Sequence, residues 1–323
     1  MKILVTGGAG YVGSHACKAL AAAGHEPVVY DNLSTGHRWA VRWGPLVEGD
    51  LRDRDRLARA FVEHRPELVM HFAARAYVGE SVTDPQLYYD NNVGGTLSLL
   101  SEMRRQGVRR IVFSSTCATY GIPRVVPIGI DTPQQPVNPY GHSKLHCEQM
   151  LRDFCAAYGF AAVALRYFNA AGADSDGEIG EAHEPETHLI PLALAAAAGD
   201  REVLEVYGDD WPTPDGTCVR DYVHVEDLAQ AHVLAIARTE AAGFQACNLG
   251  VGRGFSIREV LDAVARVTGR TVPIRQAPRR AGDPPTLVAA PGAATEWLGW
   301  EPRHIALDSI IDTAWRWYRQ PPR

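Results

Sequence analysis

A glycine-rich stretch directly after the first apolar run constrains the fold more than any other feature. "KILVTG" is typical of a buried strand, and "TGGAGYVGSH" then places Gly8, Gly10 and Gly13 in a Gly-x-Gly-x-x-Gly pattern, with Gly7 ahead of it. Glycines at this strand-to-helix turn let the backbone approach a pyrophosphate, whose charge the helix N-terminus favours. Asp31 ends the next predicted strand, 21 residues after Gly10. Together these features predict a dinucleotide-binding unit.

The acidic residue Asp31 indicates whether the dinucleotide is NAD or NADP. Asp31 can bind the hydroxyls of the adenosine ribose, and its charge would repel a 2′-phosphate, which favours NAD over NADP. Arg38 lies nearby in the sequence and keeps NADP open. Asp50 closes the third predicted strand and could contact the adenine; the alternative is an ordinary acid in a surface turn.

Short β-branched runs alternate with longer helical patterns through the first half of the chain. The predicted helices lie near Asp53–His64, Tyr88–Gln106 and Tyr140–Tyr158, between apolar strands that lack in/out alternation. The pattern predicts an α/β fold with a Rossmann-type, doubly wound parallel sheet. After about residue 170 the segments become shorter and mixed. We expect an NAD-binding domain over residues 1–170 and a smaller C-terminal lobe over residues 171–323, mainly for substrate binding.

Composition excludes several classes of protein. The net charge of −6 and the lack of a basic stripe argue against nucleic-acid binding. The six cysteines show no Cys-x-x-Cys spacing, which indicates reduced thiols in a cytoplasmic protein. We see no signal peptide and no apolar run of membrane-spanning length.

The stretch "NPYGHSK" places Tyr140 and Lys144 four residues apart, on one face of a predicted helix. A tyrosine that is half ionised at neutral pH needs its pKa lowered by about 3 units, or roughly 4 kcal/mol. A lysine at ~4–5 Å supplies about that much at an effective dielectric near 20. Burial opposes the ionisation of the tyrosine. The lysine therefore lowers the tyrosine pKa far enough only together with the positive ring of a nicotinamide. An isolated pair at this spacing is usually solvated.

Several motifs in order resemble one family. The glycine fingerprint, the hydroxyl-rich "FSSTCATYG" and Tyr-x-x-x-Lys together resemble the extended short-chain dehydrogenase/reductase family. Within it, these motifs and "LRYFNAAGA", "DGTCVRDYVHVEDLA" and "RRAGDPP" resemble UDP-glucose 4-epimerases, from residue 2 to about residue 317. The resemblance implies an isomerase with bound NAD, a UDP-sugar substrate and a homodimer built from the helices near Tyr88–Gln106 and Tyr140–Tyr158. It also implies that Thr116 holds the substrate hydroxyl that Tyr140 deprotonates.

The resemblance assigns the remaining site residues. The catalytic set is Tyr140, Lys144 and Thr116. The expected NAD-binding set is Gly7, Gly10, Tyr11, Val12, Asp31, Asn32, Asp50, Leu51, Phe72, Ala73, Ala74, Asn91, Ser114, Tyr140, Lys144 and Tyr167. The expected substrate-binding set is Thr116, Tyr140, Asn169, His188, Leu189, Tyr207, Arg220, Arg280, Asp283 and Leu287.

The two residues after Thr116 indicate which of the family's reactions a chain can catalyse. Related dehydratases place an Asp–Glu pair there, whereas this chain has Cys117 and Ala118, which cannot transfer protons in that way. The family's epimerases remove and return one proton through a transient 4-keto sugar, and we expect interconversion of UDP-galactose and UDP-glucose. Glucuronate decarboxylation stays open.

Other positions leave the substrate and the class of protein open. Leu287 is intermediate between a restrictive tyrosine and smaller residues, so UDP-N-acetylhexosamines and UDP-xylose or UDP-arabinose stay alternatives. Ala76 stands where some relatives have a lysine that contacts the cofactor. A non-catalytic NAD-sensing protein is the alternative from another class, but such proteins usually lack the Tyr140–Lys144 pair.

A metal ion is not expected. His142 and His146 have a spacing that can bind a metal, but the sequence offers no evident third ligand. We expect surface or supporting roles for both.

Overall fold

The strands and helices alternate through the first half of the chain, as the sequence predicts. The computed structural model describes residues 1–280, 283–290 and 292–320. Its strands are β1 (Lys2–Thr6), β2 (Glu26–Asp31), β3 (Leu46–Glu48), β4 (Leu68–His71), β5 (Arg110–Thr116), β6 (Ala161–Tyr167), β7 (Asn169–Ala171), β8 (Leu204–Tyr207), β9 (Val219–His224), β10 (Gly243–Leu249), β11 (Gly254–Ser256), β12 (Ile274–Ala277) and β13 (Thr286–Leu287).

The α-helices flank these strands. They are α1 (Tyr11–Ala22), α2 (Arg54–His64), α3 (Val78–Thr83), α4 (Pro85–Tyr88), α5 (Gly95–Gln106), α6 (Pro139–Tyr158), α7 (Leu189–Ala198), α8 (Val225–Leu234), α9 (Ile257–Thr268), α10 (Ala293–Leu298) and α11 (Leu307–Arg319). None of the helices in the described part of the chain is both long and apolar enough to cross a membrane.

Seven parallel strands form the central sheet, in the order β10-β6-β5-β4-β1-β2-β3. The winding reverses between β1 and β4, and a doubly wound sheet binds ligands at the carboxyl ends of the strands beside such a reversal. The predicted Rossmann-type fold is confirmed. Strand β10 pairs with β6 along its whole length, Gly243 opposite Ala161, so residues beyond 170 return to this sheet. The division of the chain at residue 170 stays a prediction.

Both faces of the sheet are buried, which explains why its strands are apolar throughout. Ile3 and Val5 of β1 pack into one core with residues of α1 and α8. Leu4, between them, packs into the opposite core with residues of α2, α5 and α6. Each such side chain is worth about 1.5–3 kcal/mol when fully buried, so two cores of this kind hold the strand ends in place.

The long helix predicted over Tyr88–Gln106 is interrupted. Helix α4 ends at Tyr88, residues Tyr89–Gly94 form a π-helical turn, and α5 then begins at Gly95. The buried side chain of Asn92 in this turn accepts from the backbone N–H of Arg75 at 2.8 Å and donates to Ser143 of α6 at 2.9 Å. The wider turn therefore joins the loop after β4 to the first turns of α6.

The remaining elements form a second, smaller layer. Strand β9 pairs with β11, β13 and β7, and β8 pairs with β12. Helices α7, α9 and α11 cover these strands with one apolar core. Helix α9 begins with a capping box, since Ser256 and Glu259 each bond the other's backbone N–H. This layer supplies one wall of the site described next.

Candidate active site

One large cleft of about 800 Å³ lies at the carboxyl ends of the central strands and extends to the smaller layer. Most of the residues predicted for cofactor and substrate line it. These are Gly7, Gly10, Tyr11, Val12, Asp31, Asn32, Asp50, Leu51, Phe72, Ala73, Ala74, Asn91, Thr116, Tyr140, Tyr167, Asn169, His188, Leu189, Tyr207, Arg220, Arg280, Asp283 and Leu287. The fold therefore brings residues that are far apart in the chain to one cleft, while their individual roles stay predictions.

Ser114 and Lys144 lie behind the wall of the cleft. The Nζ atom of Lys144 donates to the backbone oxygen of Ser114 at 2.8 Å, and the Ser114 hydroxyl bonds the Tyr167 hydroxyl at 2.8 Å. Lys144 is 3 % exposed and its Nζ lies 4.8 Å from the centre of the Phe113 ring. In this structure the two residues support the side chains that face the cleft.

Two glycines of the loop, Gly7 and Gly13, leave no room for a side chain. A Cβ on Gly13 would lie 2.1 Å from the backbone oxygen of Gly7, so α1 starts in direct contact with the loop. Gly7 has a φ of +74°, and a Cβ there would lie 2.5 Å from the backbone nitrogen of Ala73. The helix N-terminus is thus open to a pyrophosphate, which fits a dinucleotide.

Hydrogen bonds fix the side chain of Asp31 at the end of β2. Its carboxylate accepts from the backbone N–H groups of Ala9 at 3.0 Å and Leu33 at 2.8 Å, and burial raises its pKa. Arg38 forms an ion pair with Glu48 at 2.5 Å instead of lining the cleft. A 2′-phosphate would therefore face Asp31 without help from Arg38, and the residues present fit NAD better than NADP.

Asp50, which we predict to contact the adenine, is hydrogen-bonded to neighbouring side chains. Its carboxylate accepts from Arg52 at 2.8 Å and from the side-chain amide of Asn32 at 2.9 Å, and Arg52 holds its pKa well below the usual range. Both Asp50 and Asn32 line the cleft, so the arrangement presents a polar edge for an adenosine. At the other side of the cleft Ala76 is exposed, with Arg75 and Tyr77 beside it.

Thr116 at the end of β5 and Tyr140 of α6 both line the cleft, and Lys144 of α6 is buried behind its wall. Asn138 caps α6 by accepting from the backbone N–H of Gly141 at 2.8 Å, and Pro139 occupies the first helical position. The cap fixes where the helix begins, and the four-residue spacing then places Tyr140 and Lys144 on the buried face. Tyr140 is 9 % exposed and lines the cleft beside Thr116 at the end of β5.

The surroundings of Tyr140 and Lys144 shift the pKa values of both side chains. Burial raises the pKa of Tyr140 well above its usual value, and the nearby Tyr167 raises it further. The side chain of Thr116 lowers the pKa of Tyr140. Burial also lowers the pKa of Lys144 to about 8. An added positive charge in the cleft would favour the phenolate of Tyr140.

The wall directly after Thr116 carries no carboxylate. Cys117 and Ala118 occupy a 3-10 turn there and both line the cleft. Burial raises the pKa of Cys117 to about 12, so its thiol is neutral at physiological pH. The turn cannot supply the acid–base pair that elimination of water requires.

The smaller layer contributes a basic and aromatic wall. The guanidinium of Arg280 lies 4.4 Å from the centre of the Tyr207 ring, and the Tyr207 hydroxyl donates to Glu205 at 2.6 Å. Arg220, at the start of β9, lies 3.9 Å from Asp283. Two arginines and an aromatic ring in one wall suit a nucleoside diphosphate.

Glu181 and His183 also line the cleft, although only His188 of this segment was predicted. His183 packs edge-on against the rings of Tyr11 and Tyr77. The signal was present in the sequence, since "EAHEPETH" spaces three glutamates and two histidines over eight residues. His142 and His146 lie elsewhere, and the ring of His146 contacts Tyr89.

Comparison with known proteins agrees with this geometry. The model of the NAD dependent epimerase/dehydratase family matches residues 3–250. A UDP-glucose 4-epimerase of Rhizobium meliloti is 55% identical over 317 residues, which are 98% of this chain and 96% of that protein. The crystal structure of UDP-glucose 4-epimerase from Brucella ovis in complex with NAD is 59% identical, with a TM-score of 0.94 and 97% of each chain covered.

A third similar protein is the UDP-glucose 4-epimerase from Bifidobacterium longum, solved in complex with NAD+ and UDP. It is 38% identical, with a TM-score of 0.95, and the match covers 100% of this chain and 99% of that one. The glycine loop, the Tyr140–Lys144 helix and the whole fold thus agree with one assignment. The chain belongs to the NAD-dependent epimerase/dehydratase family.

Proposed function

We propose that this protein is an NAD-dependent UDP-glucose 4-epimerase that interconverts UDP-galactose and UDP-glucose through a transient 4-keto sugar. One observation supports this reaction most strongly. Tyr140 and Thr116 form a hydroxyl pair at the cleft wall, while Cys117 and Ala118 beside them offer no acid for dehydration. A single reversible proton carrier is what epimerisation at one carbon needs.

The NAD site is formed by the glycine loop and the ends of β2, β3 and β4. Gly7, Gly10 and Val12 border the place for the pyrophosphate, and Asp31 can accept from ribose hydroxyls. When bound, NAD supplies the reversible oxidation of the sugar at C4. Asn91 and Tyr167 line the same cleft and complete this wall.

Tyr140 acts as the base and then as the acid. Its phenolic oxygen takes the proton from the sugar O4 hydroxyl and later returns it, so one group serves both steps. Thr116, which lines the cleft with Tyr140, holds the same hydroxyl of the sugar. Lys144, fixed by the backbone oxygen of Ser114, places its charge on the buried face of α6 and favours the phenolate.

The nucleotide end holds the substrate while the sugar turns. Arg220 and Arg280 bind the diphosphate, for which paired guanidinium groups are well suited. Tyr207 stacks on the uracil ring, and Asp283 orients Arg220. Asn169, His188 and Leu189 border the sugar. The 4-keto sugar can then present either face to the cofactor without leaving the cleft.

We expect the two parts of the chain to bind different ligands. Residues 1–170 contribute mainly NAD contacts and residues 171–323 mainly substrate contacts. The protein also forms a homodimer through α5, α6 and the π-helical turn before α5, where Tyr89, Leu97 and Tyr158 are between 36% and 42% exposed. It resides in the cytoplasm, in keeping with six free, buried cysteine thiols.

A direct assay tests the proposed reaction. Purified protein is incubated with UDP-galactose, and UDP-glucose is measured by chromatography without an added oxidant. We expect conversion to an equilibrium mixture, with no net consumption of NAD, and release of NAD when the protein is denatured. Formation of a dehydrated or decarboxylated sugar, or no conversion with NAD supplied, would refute the proposal.

A further inference from the structure

Four side chains that can bind a metal converge beside the cleft. Glu181, His183, Glu186 and His188 each bring one ligand atom to within 4.8 Å of the others. The Nδ1 atom of His183 lies 3.0 Å from Oε1 of Glu181 and 3.7 Å from Oε1 of Glu186. The Nδ1 atom of His188 contacts the same Glu181 oxygen. We call these four residues the His–Glu cluster.

The spacing of the His–Glu cluster suits a small tetrahedral ion. Bonds of about 2.0–2.1 Å from zinc to imidazole nitrogen or carboxylate oxygen place neighbouring ligand atoms about 3.4 Å apart. The two distances from His183 bracket that value, whereas His188 Nδ1 and the Glu181 oxygen lie closer together and would have to separate to bind one ion. Two imidazoles and two carboxylates are a donor set that favours zinc over calcium or magnesium, which prefer oxygen ligands alone.

The backbone that carries the cluster is fixed from two sides. The indole N–H of Trp317 in α11 donates to the backbone oxygen of Glu181 at 2.8 Å. The ring of His37 bonds the backbone oxygen of Ala182 at 2.6 Å. These contacts hold the first ligand and its neighbour in place without using any of the four ligand atoms.

The carboxylate of Glu186 is also oriented. Its Oε1 atom accepts from the backbone N–H of Thr187 at 2.7 Å and of His188 at 2.8 Å. Carboxylates that bind metals are commonly held in this way by a second layer of hydrogen bonds. Glu186 is therefore presented to the centre of the cluster.

The burial of one imidazole nitrogen gives a second indication. The Nδ1 atom of His183 is enclosed, and the carboxylate oxygens of Glu181 and Glu186 lie beside it. The rings of Tyr11 and Tyr77 stand edge-on to the His183 ring at 6.1 Å and 5.7 Å between centres, and help enclose it. A buried imidazole nitrogen between two carboxylates needs either a proton or a metal.

We propose that the His–Glu cluster binds one divalent zinc ion as a structural site. Four protein ligands leave no open position, which is typical of structural rather than catalytic zinc. The ion would join residues 181–188 into one rigid turn, directly before α7. His188 and Leu189 line the cleft, so the ion would fix the cleft wall that they form.

Metal content tests the proposal independently of the enzymatic reaction. Untagged protein is freed of metal with a chelator, incubated with zinc, passed over a desalting column and analysed by mass spectrometry of the elements. We expect one zinc per chain in the wild type. Cobalt in place of zinc should give the visible absorption of a tetrahedral site with nitrogen and oxygen ligands.

Two variants assign the ligands, and one serves as control. Loss of an outer-layer partner alone costs metal sites about 10–100-fold in affinity, so His183→Gln and Glu186→Gln should each weaken zinc binding by at least about 100-fold. His146→Gln, which removes an exposed histidine outside the cluster, should bind zinc as the wild type does. Circular dichroism verifies that each variant is folded.

Three results would overturn the proposal. One is a wild type that holds no zinc after desalting, which would mean that the cluster is an ion-pair network of glutamates and protonated histidines. Another is zinc bound equally by the wild type and by His183→Gln and Glu186→Gln. The third is a cobalt spectrum of an octahedral, largely hydrated ion.

Discussion

At the scale of single residues, the surroundings decide what Tyr140 can do. The spacing of Tyr140 and Lys144 was visible in the sequence, and so was the absence of acids at Cys117 and Ala118. The contact of Lys144 with the backbone oxygen of Ser114 was not, because it joins a helix to a strand 30 residues earlier. Local sequence patterns identify the reactive side chains. The pKa values of these side chains depend on burial, which only the folded structure creates.

Leu287 gives a prediction at this scale. Its side chain lines the cleft and packs against Cys117, Tyr120 and Phe168. Leu287→Ala opens the sugar pocket and should raise the ratio of kcat/KM for UDP-N-acetylgalactosamine over UDP-galactose by about tenfold, a difference of the size that pocket shape provides. Leu287→Tyr should lower this ratio by a similar factor.

Steady-state kinetics with both substrates measure the ratio. Val62→Ala, on an exposed position of α2, serves as the control and should leave it unchanged. A ratio that does not move in either Leu287 variant would show that this residue does not limit the sugar pocket.

At the scale of secondary-structure elements, the start of α6 packs very closely against the turn that follows β5. A Cβ on Gly141 would lie 2.6 Å from the backbone oxygen of Ala118 and 2.9 Å from Cβ of Pro136. Gly141→Ala therefore pushes α6 away from the turn after Thr116. We expect a loss of about 1–3 kcal/mol in the free energy of unfolding, together with lower kcat, because Tyr140 moves with the helix.

Gly94→Ala is the matched control, since Gly94 has helical backbone angles and the nearest atom to a Cβ lies 3.9 Å away. It should be neutral or stabilise the protein by about 0.5–1 kcal/mol in urea unfolding. Equal stability and activity of Gly141→Ala and the wild type would contradict the close packing of α6.

The elements also show where sequence patterns stop being informative. The predicted helices Asp53–His64 and Tyr140–Tyr158 begin within one residue of the observed ones, because caps at Asp53 and Asn138 mark their starts. The π-helical turn at Tyr89–Gly94 was not predicted, since Asn92 in that turn bonds loops far away in sequence. The return of β10 to the sheet depends on pairing with β6, which no local pattern encodes.

At the scale of the whole molecule, buried histidines predict sensitivity to acid. Burial lowers the pKa of His15 and His232 to about 4, and of His71 and His224 to about 3. In the unfolded chain each would take up a proton near pH 6.5. The folded state therefore loses up to about 1.4 kcal/mol per histidine for each pH unit below that value, until the folded-state pKa is reached.

Asp221 opposes part of this effect, because burial raises its pKa to about 6 and the folded state then binds its proton first. Urea unfolding at several pH values between about 6.5 and 5 should show a steady fall in stability. His232→Asn should reduce the slope by about one proton. A free energy of unfolding that is constant over this range would contradict the neutral state of the buried histidines.

The central claim is that Tyr140 takes and returns the proton of the sugar hydroxyl, and the activity of Tyr140→Phe tests it most directly. The variant keeps the ring and loses only the hydroxyl, so the binding of NAD and UDP, measured by calorimetry, should stay within a few-fold of the wild type. The account predicts that kcat for UDP-galactose falls by about 10²–10⁴-fold. A variant that binds both ligands and retains kcat within a factor of two of the wild type would contradict it.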